Sequence, residues 1–88
     1  MNYTGCLLPL CANGQAAVLR LHDGERCLPL FTSERAFAAG SIFPQGFVAV
    51  LFVVPDGPAL EEAARHDGLV IVLDQTLGSI VARLGSAA

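Results

Sequence analysis

Eighty-eight residues, 53% of them apolar and 15% charged, make one folded domain and exclude a disordered tail. Five arginines, no lysine and eight acidic residues give a net charge of −3, which leaves no basic stripe for nucleic acid. The longest apolar run, residues 47–55, is too short to cross a bilayer as a helix, so no membrane partner is expected either.

The chain opens without a basic n-region. "YTGC" only faintly resembles a lipoprotein cleavage box, because almost nothing apolar precedes it. No export signal is read, and the cytoplasm is the expected compartment. Residues 4–11, "TGCLLPLC", read as a strand or extended lead-in, with Pro9 favouring an edge position. Cys6, Cys11 and Cys27 match no CxxC pair or zinc framework and sit among Leu and Pro, where buried thiols are expected. After an "ANG" turn, "QAAVLRL" (15–21) has the content of a strand. "HDGE" is a tight turn built on Asp23-Gly24, and "RCLPLF" (26–31) returns as the hairpin partner.

Thr32 and Ser33 open a short helix, "SERAFAA", closed by Gly40, and "SIFPQG" follows as a loop. "FVAVLFVV" (47–54) is continuously apolar, the pattern of a central strand covered on both faces. "PDGPALEEAARHDG" carries helix signals at both ends: Asp56 or Gly57 at the cap, Pro58 in the first turn, Gly68 beyond the end. "LVIVLD" (69–74) is a second buried strand. Leu77, Ile80, Val81 and Leu84 then hold the stripe of an amphipathic helix.

This order specifies an α+β (α/β-like) domain with a small mixed β-sheet, an N-terminal hairpin and a βαβ unit. The unit is placed at residues 47–74, with its two strands parallel, and two to three helices pack mainly on one face. The apolar surplus and the uncovered face point to self-association.

Each candidate for chemistry has a structural use beside it. His22-Asp23 and His66-Asp67 are both followed by glycine, as turns are, and two histidines are too few for a metal phosphohydrolase. Asp56 and Asp74 end the two apolar strands at the edge where ligands gather in open α/β sheets, yet Asp is also a favoured helix cap. No glycine-rich phosphate loop is present, and Ser33 is not in a G-x-S-x-G elbow. Thr32 or Ser33 serves as an N-cap with Glu34 in the favourable first turn. An anion could use the helix N-termini after Thr32 and Asp56, with Arg35 as counter-charge. The reading is of no catalytic, cofactor-binding or metal-binding residue. Thr32, Ser33, Arg35, Asp56 and Asp74 are the candidate ligand or interaction residues.

Three stretches, "GERCLPLFTSERAFAAG", "VVPDGPALEEAARHDGLVIVLD" and the closing amphipathic segment, together resemble the N-terminal domain of the bacterial SseB (enhanced serine sensitivity) family. "LPLFTSERAF" (28–37) carries the strand-to-helix turn. "DGLVIVLDQTLGS" (67–79) carries the later strand end, departing at Asp74-Gln75, where the family commonly has Asn-Pro. The likeness covers about residues 15–84, within a single domain taken as 1–88. It implies a small bacterial cytoplasmic domain, often one part of a longer or multi-copy protein, with no clear enzymatic activity. The expected function is a non-catalytic interaction or regulatory module, forming a homodimer or binding another protein. The alternative is a small-molecule or anion binder.

Overall fold

The structure, a computed structural model, describes residues 2–20 and 24–79. Its elements are β1 (Leu7–Leu10), β2 (Leu19–Arg20), β3 (Arg26–Leu30), α1 (Glu34–Gly40), β4 (Val50–Val53), α2 (Gly57–His66) and β5 (Leu69–Leu73). They form a small mixed α+β domain with two sheets: antiparallel β1–β4, and β2–β3–β5, in which β2 runs antiparallel and β5 parallel to β3. The sheets join where Leu7 and Phe31 exchange backbone hydrogen bonds of 2.7 and 3.0 Å.

β3 is the strand covered on both faces. Cys27, Leu28, Pro29 and Leu30 are all buried, whichever way their side chains alternate. The core gathers on this strand: Leu28 and Leu30 pack with Cys6, Leu8, Val54 and Ala64, flanked by Leu60, Leu69 and Ile71. Cys6 and Cys27 are buried thiols as expected, while Cys11 is half-buried; none is in a disulfide.

The apolar run 47–54 does not take the central place its pattern suggests. Only residues 50–53 form a strand, and they pair antiparallel with β1 rather than parallel with β5. The parallel crossover therefore runs from β3 to β5 through α1, β4 and α2, not across residues 47–74 alone. A run of apolar residues states that a strand can be buried but not against which neighbour.

The expected strand 15–21 is also divided. Ala16 bridges to Leu10 and Ala17 N–H donates to the Pro9 carbonyl, whereas Leu19 and Arg20 pair with β3. This short segment passes from one sheet to the other. Pro9 accordingly lies in the two-stranded sheet, fully buried, with the Ala17 amide bonded to its carbonyl. The Asp23-Gly24 turn falls partly outside the described residues, but its flanking register is clear. A two-residue loop there would set Arg20 opposite Cys27; instead Leu19 faces Cys27 and Arg20 faces Arg26. This pairing groups Leu19 with the fully buried Cys27 and leaves both arginines exposed.

α1 begins as the sequence indicates, with Ser33 as the cap. Its Oγ accepts the Ala36 amide at 3.0 Å, and Phe31 packs edge-on against Phe37 across the turn, ring centres 5.2 Å apart. The helix does not stop before Gly40: it includes it, and the left-handed cap is Ser41 at φ 51°, whose hydroxyl donates to the Ala38 carbonyl. Gly40 has another use. A Cβ there would stand 2.5 Å from the Gln75 carbonyl oxygen and 3.4 Å from Phe31. At α2 the cap is Asp56, accepting from Ala59 N–H at 3.1 Å. Gly57 is pressed against the N-terminal segment, where its amide donates to Thr4 Oγ1 at 2.7 Å. Residues 77–79 begin a further helical turn; the rest of the stripe, Ile80, Val81 and Leu84, lies outside the described residues.

The close approach at Gly40 can be measured. Gly40→Ala should cost about 1–3 kcal/mol by overpacking against an immobile carbonyl. That exceeds the at most ~1 kcal/mol that removing a helical glycine returns. Thermal unfolding should shift down by several degrees; an upward shift would show that the helix end and the Gln75 backbone are not in contact.

Candidate functional site

The carboxyl ends of β3 and β5 bring two of the candidate residues together. Asp74 follows β5 at φ 49°, a left-handed conformation that Asp tolerates better than most residues. Its backbone N–H extends the ladder to the Leu30 carbonyl at 2.9 Å. Its carboxylate turns to the next residue but one on β3's exit: Oδ1 accepts the Thr32 amide and Oδ2 the Thr32 hydroxyl, both at 2.9 Å. The two strand ends are thus fastened by a carboxylate clamp immediately before α1 starts.

The other candidates are engaged nearby or elsewhere. Ser33 Oγ accepts the Ala36 amide as the α1 cap. Arg35 projects from the first turn of α1 and is exposed. Asp56 belongs to a different setting, because β4 is not a parallel strand. Its carboxylate caps α2, and the neighbouring Gly57 amide is bonded to Thr4. The Thr32 amide and hydroxyl, one acceptor site of Ser33 Oγ and Asp56 Oδ1 each have an internal partner.

His66 Nδ1 lies 3.6 Å from Asp67 Oδ1 in a largely exposed pair at the end of α2, where Asp67 N–H closes the helix onto the Ala63 carbonyl. This is the turn use of the His-Asp-Gly sequence. His22 and Asp23, the other such pair, lie outside the described residues. Among the described residues, no three His, Cys, Asp or Glu side chains group as a metal site. No described helix is long and apolar enough to cross a membrane.

Beside α1, an open concavity of about 270 Å³ is walled by Phe37, Ile42, Phe43, Pro44 and Val48, with Phe43 stacked on Phe47 at 5.4 Å. It contains no titratable side chain, and its one hydroxyl, Ser41, is bonded to Ala38. The described residues of such a surface suit an apolar group. The sequence reading missed a different feature. Arg20 and Arg26 stand directly opposite each other, a pairing that depends on the hairpin register and could be found only by counting that register correctly.

No family model matches this chain, and no match emerges from the curated proteins or the solved structures.

The clamp has a distinct signature in stability. Asp74→Ala removes two hydrogen bonds to a carboxylate and leaves a poorly suited residue at positive φ, so it should cost about 2 kcal/mol in denaturant unfolding. Asp74→Asn keeps one acceptor and tolerates the backbone, and should lose less than half of that. Equal stability of wild type and Asp74→Ala would instead mark the carboxylate as spare and available for a ligand.

Proposed function

We propose that this chain is a non-catalytic interaction module that associates with a second copy of itself along β4. The observation that carries the reading is the exposure of that strand: Val50, Phe52 and Val53 are 53%, 45% and 56% exposed. Val54 N–H donates to the Cys6 carbonyl, so alternation turns the backbone groups of Val50 and Phe52 toward β1 and those of Leu51 and Val53 outward. No strand among the described residues pairs with that outer edge.

An open apolar edge is usually blunted by lysine, proline, a bulge or a covering element. Residues 47–54 contain neither proline nor charge. A twofold antiparallel β4–β4 pairing would therefore place no like charges opposite each other, and would continue β1–β4 into a four-stranded sheet. It would also make residues 47–54 the interior strand that their continuous apolar pattern describes. The resemblance to the SseB N-terminal domain adds the bacterial, cytoplasmic setting and the absence of enzymatic activity to this reading.

So short an edge buries less than the roughly 1,200 Å² of a standard interface, so the dimer should be weak and concentration-dependent. Sedimentation velocity from low to high micromolar protein should show a rising mean sedimentation coefficient. Val53→Lys should hold the chain at the monomer value with an unchanged circular dichroism spectrum. A wild-type protein that stays monomeric throughout the range would refute self-association.

A further inference from the structure

The β2–β3 register sets Arg20 opposite Arg26. Directly opposed side chains in an antiparallel pair have Cβ atoms about 4.5–5.5 Å apart, and like charges so placed repel. Two of five arginines are spent on this contact in a chain whose net charge is −3. Both line one open concavity of about 540 Å³, together with Gln15, Val18, Leu69 and Asp67. The Arg26 guanidinium is held in place by donating to the Asp67 backbone carbonyl. Arg20 has no hydrogen bond or ion pair to another described residue, so none of these uses its planar fork of donors.

We propose that Arg20 and Arg26 form a binding site for the phosphate group of a small phosphate monoester. A phosphate dianion between the two guanidiniums accepts from both and cancels the repulsion that the bare pair carries; a carboxylate has one charge and fits one fork. Val18 and Leu69 supply apolar wall for the organic part of the ester, and Gln15 a neutral amide. Among the described residues, two carboxylates bear on the site. Glu25 accepts from Cys27 Sγ at 3.7 Å, on the strand face opposite Arg26, and is turned away. Asp67 lines the concavity, with its carboxylate 3.6 Å from His66 Nδ1, and its charge weakens anion binding. None of these residues belongs to β4, so the site stands or falls apart from self-association.

The test follows the arginine Nε–Hε signals by NMR at fixed ionic strength, titrating inorganic phosphate, then phenyl phosphate, then acetate. Both phosphates should move the Arg20 and Arg26 signals saturably while Arg35 and Arg65 stay still, with the ester binding more tightly than the inorganic ion. Arg20→Gln should weaken phosphate about tenfold or more. It should leave the ligand-free melting temperature unchanged or raised, since it removes a repulsion. Arg35→Gln should bind as wild type, and Asp67→Asn should bind about two- to threefold more tightly through the loss of a like charge. The proposal is overturned if all arginine signals drift together, if Arg20→Gln binds phosphate as wild type does, or if acetate binds as well as phosphate.

Discussion

Everything in this domain hangs on the backbone of β3. Its Leu30 carbonyl accepts from Asp74 N–H, so by alternation the even-numbered residues bond to β5 and the odd-numbered ones face the other way. On that other side Cys27 meets β2 and Phe31 meets Leu7 of β1. Pro29, the odd residue between them, lies between the β2 pairing at Cys27 and the isolated bridge at Phe31. A proline inside a doubly paired strand would ordinarily break a ladder; here its missing N–H faces a position at which no described strand pairs with it. The same strand then delivers Phe31 to the core, Thr32 to the Asp74 clamp and Ser33 to the start of α1.

Local features of this architecture were legible in the sequence because they are set by residues close together in the chain. The caps at Ser33 and Asp56, the proline in the first turn of α2, the strand at 69–73 and the β2–β3 pairing all follow from side chains within a few positions of one another. What could not be read was pairing between distant segments. Residues 47–54 and residues 69–74 are both apolar runs flanking a helix, and a βαβ unit is their natural reading. Nothing in either run says that β1, some forty residues earlier, takes the first of them. Gly40 shows the same limit at the scale of one residue: a glycine at a helix end suggests a left-handed cap, but its missing side chain serves a contact with Gln75 that only the closed fold creates.

The candidate site residues follow this division. Ser33, Asp56 and Asp74 stand out in the sequence because polar oxygens after strands can serve chemistry. Each has an amide or hydroxyl within 3.1 Å that uses the oxygen structurally. The Thr32–Asp74 clamp links positions 42 residues apart, so no local pattern announces it. It explains, though, why a polar residue should follow β5: the carboxylate satisfies Thr32 at a point where β3 leaves the ladder and α1 has not yet begun. Arg20 and Arg26 are the converse case. As isolated charges at the ends of a hairpin they look like solvated surface, and only a register one residue away from the two-residue-turn expectation makes them neighbours.

That register also sets where the domain can meet other molecules. Leu19 and Cys27 share one face of the β2–β3 ladder and the two arginines the other, so burial of the fully enclosed Cys27 forces the arginine pair outward. At the far side of the joined sheets, β4 pairs with β1 on one edge and with no described strand on the other. The charged concavity and the apolar edge therefore have a common origin. Both arise from how a small core, centred on β3, uses up its pairing positions: one surplus is electrostatic, at the hairpin, and the other is apolar, at β4. A small core leaves surplus surface of both kinds exposed, and the two proposed partners, a second copy at β4 and a phosphate monoester at the arginines, differ because the surfaces do.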